Sequence, residues 1–236
     1  MIESVIADMD EWRNNLRAPH LRYFLDTYER TTRAIGKAIA GAHFEDPRWV
    51  ERWDVAFARL YLDALDAGDA ASRPWRLASS APAELPPLRH VLLGINAHVN
   101  YDLPQALLAV ISSAEFGDAA LLDRRRRDHE RIDEVLASRV GAEDVELSTS
   151  GKSLLDRVLT PLNRLGSKRF LREGREKVWH NTAVLHAARV VGPDTYRTRL
   201  AELEVLCAAR IADLLTPGQV LLRLAVGGFG VLLPPP

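Results

Sequence analysis

Apolar residues recur at helical rather than strand spacing along most of the chain. From Leu21 they fall at Phe24, Leu25, Ala34, Ile35, Ala38 and Ile39, a stripe that predicts an amphipathic helix. Asp46 followed by Pro47 has the form of an N-cap and first helical residue. A helix is expected from there through Trp49, Val50, Trp53, Phe57, Leu60 and Tyr61 to a stop at Gly68. Residues 69–87 hold Pro74, Pro82, Pro86 and Pro87 and read as a loop. Leu88 to about Ser113 reads as a central helix, and Asp118 can cap another that reaches about Val140 before Gly141. Three further helices complete the pattern: a short one from Ser153 to Pro161, one from Glu173 to Val191 closed by Gly192-Pro193, and one from Asp194 to Leu215 ahead of Pro217-Gly218. No alternation long enough for a sheet and no internal repeat is visible. The expected fold is all-α, a compact bundle of six to eight helices with no major sheet, in a single domain over residues 1–236.

Composition narrows the function classes more than it selects one. With 47% hydrophobic and 27% charged residues the chain is globular, and 236 residues suffice for a substantial core. A net charge of −1 supplies no field to attract nucleic acid, so no nucleic-acid partner is expected. No apolar run reaches the ~18 residues that suggest a membrane span; the longest tract, Gln219 to Leu233, is broken by Arg223 and Gly227-Gly228-Phe229-Gly230 and is expected to pack on the core. The acidic N-terminal stretch does not have the form of a secretory signal, and the lone Cys207 suits a reducing compartment, so a cytoplasmic location is expected. Arginine-rich, lysine-poor usage with abundant alanine suggests a high-GC bacterial gene.

Chemistry concentrates in the central helix. Leu88, Val91, Leu92, Ile95, Val99, Leu103, Ala106, Leu107 and Val110 make one apolar stripe, and His98 and Asp102 sit on or beside it, four residues apart on one face. Buried polar groups need partners, and three readings compete. The carboxylate could orient the imidazole as an acid–base unit. Each could supply one ligand to a metal. The two could equally be a satisfied structural pair. Asn96, Asn100, Gly94 and Pro104 break helix preferences in the same turns, a concentration expected at functional or strained sites.

Two other groups of residues could join that pair. Asp54 falls with Val50, Phe57, Ala58 and Tyr61 on an inward face, where it could serve as a second acid–base group or a third metal ligand; the alternative is a local pair with Arg59 or Arg89. Trp49, Trp53, Phe57 and Tyr61 read as core first and pocket second. Trp179, His180 and His186 read as buried or edge residues, and His43, His90 and His129 as helix-end or surface residues. The Gly151-Lys152-Ser153 string lacks the first glycine and the strand of a phosphate-binding loop. Arg124 to Arg127 reads as a solvated face.

The segments Phe44-Glu45-Asp46-Pro47, Trp53-Asp54-Val55-Ala56-Phe57-Ala58-Arg59-Leu60-Tyr61, Gly94-Ile95-Asn96-Ala97-His98-Val99-Asn100-Tyr101-Asp102-Leu103 and Val178-Trp179 together resemble DUF5995, a bacterial family of unknown function known mainly from actinomycetes. The Asn-Ala-His-x-Asn-x-Asp-Leu string is the most specific part. The resemblance implies an all-helical fold with Asp54, Tyr61, His98, Asn100 and Asp102 in a pocket, and no established activity. A weaker similarity is to helical zinc-dependent phospholipases C, which also carry His-x-x-x-Asp on a core helix; their other histidine ligands are missing here.

The leading expectation is an enzyme for a small organic molecule, of cyclisation, dehydration or isomerisation type, with no cofactor. His98, Asp102, Asp54 and Tyr61 would be catalytic, and Asn96, Asn100, Trp53, Phe57 and Trp179 would contact substrate. The alternatives are a hydrolase with one divalent metal on His98, Asp102 and Asp54, and a non-catalytic metabolite-binding or helical interaction protein.

Overall fold

The computed structural model describes residues 1–16, 18–146, 167–218, 224 and 228–235, with side chains up to 136 and again from 173. The helices are α1 (Ile2–Asn15), α2 (Arg22–Ala40), α3 (Pro47–Ala67), α4 (Arg73–Ser79), α5 (Pro87–Ala97), a π-helical turn (His98–Asp102), α6 (Leu103–Val110), α7 (Ser113–Phe116), α8 (Ala119–Glu146), α9 (Ser167–Val191) and α10 (Pro193–Leu215). No strand occurs among the described residues, so the fold is all-α. None of these helices is long and apolar enough to cross a membrane.

Local chemistry accounts for the boundaries. Asp46 accepts from Trp49 N at 3.1 Å and Pro47 opens α3, while Gly68 ends it at φ +51°, a conformation glycine adopts without a Cβ penalty. Ser112 and Glu115 cap each other reciprocally at the start of α7. Asp118 accepts from Leu121 N at 3.0 Å at the start of α8.

Three expectations need correction. The N-terminal stretch, weighed only as a signal, is α1, whose Ile2, Val5, Ile6 and Met9 follow helical spacing into the core. Residues 69–87 are not all loop: Pro74 stands in the first turn of α4, where the missing N–H has no intrahelical role. The single central helix is three pieces. Pro104 cannot donate to Asn100, and the Leu103 N–H bonds back five residues to His98 O, inserting a π turn between α5 and α6. The short helix near Ser153 and the Gly151-Lys152-Ser153 string lie outside the described residues.

One cluster of buried apolar side chains draws from α1, α2, α3, α4, α5, α6, α8, α9 and α10. Within it α3 packs on α6 and α2 on α5, so the π turn is surrounded by α2, α3 and α10. Leu224 and Leu233, from the apolar tract near the end of the chain, are buried as expected. Arg124 to Arg127 is not simply a solvated face. Arg125 is buried, paired with Asp46 at 2.6 Å and Glu115 at 2.9 Å, and its guanidinium lies 4.8 Å from the Trp49 ring. Asp128, fully buried on α8, accepts from the Glu45 and Asp46 amides at 2.7 and 2.8 Å. These bonds fix the start of α3 against α8.

Candidate active site

The π turn presents His98 and Asp102 to each other. His98 Nδ1 lies 2.9 Å from Asp102 Oδ2, and the same oxygen accepts from Trp75 Nε1 at 2.8 Å. An indole can only donate, so Oδ2 accepts from Trp75, and with Asp102 ionised it accepts from His98 Nδ1 as well. That arrangement places the imidazole proton on Nδ1 and leaves the Nε2 lone pair bare. Nε2 is buried and has no partner among the described residues. Burial holds the His98 pKa below its ordinary value against the pull of Asp102; burial raises Asp102 against the opposing effect of His98 and the indole. Burial thus favours the neutral imidazole, in a low-dielectric setting and oriented by Asp102.

Aromatic side chains enclose the ring. Phe57 stacks on it at 3.6 Å and 5°, and Tyr28 meets it edge-on at 4.4 Å. Phe24, Tyr61 and Trp75 stand 5.9, 5.9 and 6.0 Å away. Gly94 is what lets Phe24 in, because a Cβ there would fall 2.4 Å from the Phe24 ring. The glycine that weakens the helix is therefore required by the cage. His98 is 2% exposed.

Asp54 lies on α3 one turn before Phe57, 1% exposed, with neither carboxyl oxygen hydrogen-bonded among the described residues. Burial pushes its pKa up to about 7. Its charge contributes, after burial, to raising the Tyr28 hydroxyl, and Asp102 adds a smaller push. The Tyr28 hydroxyl is buried, and Thr32 opposes part of the shift. The alternative pairing of Asp54 with an arginine does not occur: Arg59 binds Asp8 at 2.6 Å, and Arg89 donates to Gly218 O at 3.0 Å. Tyr61 packs edge-on to Phe24 at 5.0 Å and lies 4.9 Å from Trp75, its hydroxyl raised by burial and then by Asp26.

The structure thus brings His98, Asp102, Phe57 and Tyr61 together, with Asp54 one turn before Phe57 on α3. It does not bring Trp179 to them. Trp179 Nε1 donates to His129 Nδ1 at 3.0 Å, and Trp53 meets His129 edge-on at 5.0 Å while stacking between Trp49 and Phe57. His129 is buried, not a surface residue, and its pKa falls to about 3, through burial first and Arg175 second. His90 is buried as well. Asn96 donates to Leu92 O and accepts from Asn100, and Asn100 also donates to Phe229 O, so both amides are engaged by protein. Among the described residues no group of three or more His, Cys, Asp or Glu side chains converges as metal ligands. Asp54, His98 and Asp102 therefore do not gather as the expected ligand set. Tyr28 and Trp75 were missed by sequence reasoning. The one signal for Tyr28 was its place at i+4 from Phe24 on the α2 stripe; Trp75 was hidden by the proline-rich reading of its segment.

Among known protein families, one described as a family of unknown function matches residues 2–217 of the chain. The chain belongs to the family of unknown function DUF5995. That match takes in every residue of the cage described above. No curated protein and no solved structure matches the chain.

Proposed function

We propose that this DUF5995 protein is an acid–base enzyme for a small organic molecule, with His98 as the proton-transferring group. The observation that carries the reading is the bare Nε2 of His98, buried and unpartnered, on an imidazole whose other nitrogen is held by Asp102 and Trp75. A buried ring nitrogen without a partner, on an imidazole whose other nitrogen is held by a carboxyl group, is suited to meet a group supplied from outside. Asp102 orients the ring and stabilises the imidazolium formed when Nε2 takes a proton. Asp54, buried on α3 one turn before Phe57 and near neutrality in its proton affinity, is suited to return a proton. Proton transfer of this kind serves cyclisation, dehydration or isomerisation. The buried single cysteine is consistent with action in the cytoplasm.

The test is incubation of purified protein with a bacterial metabolite extract, followed by untargeted mass spectrometry. The wild type is expected to interconvert at least one metabolite, and His98→Gln, folded by circular dichroism, is expected not to. Identical profiles for wild type and variant overturn the proposal.

A second reading has its own observation. Two surface clefts, one walled by Arg73, Arg76 and Ser79 and one by Asp8, Trp12 and Arg59, include none of His98, Asp102 or Asp54. His98 and Asp102 are 2% exposed and Asp54 1%, so substrate enters by movement of the aromatic cage. A cage that never opens makes the pair a structural element, and an unreactive wild type in the same experiment selects that reading.

A further inference from the structure

Residues 228–235 run without regular structure over the surface made by α9, α10 and the π turn, and helix side chains hold them almost carbonyl by carbonyl. Arg210 donates to Gly228 O, Asn100 to Phe229 O at 3.2 Å, and Lys177 to Gly230 O at 3.3 Å. Asn181 Nδ2 donates to Val231 O at 3.0 Å while its Oδ1 accepts from Leu233 N at 2.9 Å. His180 Nε2 donates to Leu233 O at 2.9 Å, and Arg199 donates to Pro234 O. A fully buried primary amide that uses both its ends on an extended backbone acts as a neighbouring strand would.

Two positions add selectivity. Leu233 is fully buried among Leu108, Val184, Leu185, Leu203 and Cys207. Gly230 passes so close to α9 that a Cβ would stand 2.8 Å from Lys177 Cδ and 3.3 Å from its Cβ. Every side chain that holds the segment lies inside the family match at residues 2–217, and the segment itself lies outside it. The holding surface thus belongs to the common family domain, and its occupant does not.

We propose that this surface is a binding site for an extended peptide of the form Gly-apolar-x-Leu-Pro, with residues 228–235 of the same chain as the ligand bound in cis. The side chains read backbone carbonyls, the apolar pocket reads the leucine, and close contact with Lys177 reads the glycine. The site is separate from the His98 cage, although Asn100 belongs to the π turn that carries it.

The test uses the full chain carrying Leu233→Asp, whose carboxylate cannot enter the apolar pocket, and a fluorescent peptide of residues 228–236. The variant is expected to bind the peptide saturably, at least about tenfold more tightly than the wild type, whose site is filled. Adding Asn181→Ala is expected to weaken binding at least about tenfold, since two backbone hydrogen bonds are lost. Absence of binding to a folded Leu233→Asp chain, or binding indifferent to Asn181→Ala, overturns the proposal. If Leu233→Asp does not fold, Asn181→Ala alone decides by hydrogen exchange. Exchange at residues 229–233 at least about tenfold faster, with α3 unchanged, supports a detachable ligand. Unchanged exchange, or loss of protection throughout the chain, shows the segment to be part of the core and overturns it.

Discussion

Asp54→Asn should make the protein more stable above neutral pH, and the size follows from the carboxyl's surroundings. In the unfolded chain this group ionises near 3.8; in the folded chain burial moves it to about 7. Between those values the folded state holds a proton that the unfolded state has released, so stability falls as pH rises, by about 1.36 kcal/mol per pH unit. The contribution is complete below pH 3.8 and gone above pH 7, about 4 kcal/mol in all. An asparagine does not titrate, so the variant lacks this slope. It leaves an unpaired amide at a cost of about 1–3 kcal/mol, and the net gain at pH 8 is expected to be about 1–3 kcal/mol. Urea unfolding followed by tryptophan fluorescence, from pH 5 to 8, measures both. A difference between wild type and Asp54→Asn that stays constant across that range refutes the reasoning.

Other perturbations act on neighbouring parts of the same site. Gly94→Ala places a Cβ 2.4 Å from the Phe24 ring, and the overpacking cost of about 1–3 kcal/mol should outweigh the gain in helix propensity of up to about 1 kcal/mol; a chemical-denaturation midpoint at or above wild type would contradict this. Trp75→Phe keeps an aromatic ring but removes the donor to Asp102, and should lower stability by about 1.5–3 kcal/mol, with a loss under about 0.5 kcal/mol counting against the bond. His129, with a folded pKa near 3 against 6.5 unfolded, contributes stability that is complete above pH 6.5 and lost as pH falls toward 3. His129→Gln, which retains an acceptor for Trp179, should flatten that acid limb; an unchanged acid profile would show that His129 does not drive it.

Much of this arrangement was legible in the sequence, because it rests on local rules. The Asp46-Pro47 start and the Gly68 stop of α3 come from capping chemistry that a few residues encode. The inward place of Asp54, Phe57 and Tyr61 follows from helical spacing, and the broken preferences at Gly94, Asn96, Asn100 and Pro104 marked the π turn as unusual without revealing its form. What could not be read depends on contacts distant in sequence. Trp75 reaches Asp102 across 27 residues, and Tyr28 meets His98 only because α2 packs on α5. Trp179, expected to contact substrate, instead meets His129 for the same reason: spacing shows which face a side chain occupies, not which helix lies opposite. Asn96 and Asn100 resembled substrate ligands because an amide's partner, a carbonyl one turn back or on the segment at Phe229, is not visible in its own codon neighbourhood.

The central claim concerns one proton. Nitrogen NMR of protein labelled at histidine, recorded at pH 7 and compared with His98→Gln to assign the signals, reports where it sits. A neutral His98 with hydrogen on Nδ1 and a bare Nε2 is the predicted result. Hydrogen on Nε2, or a doubly protonated ring, would contradict the account.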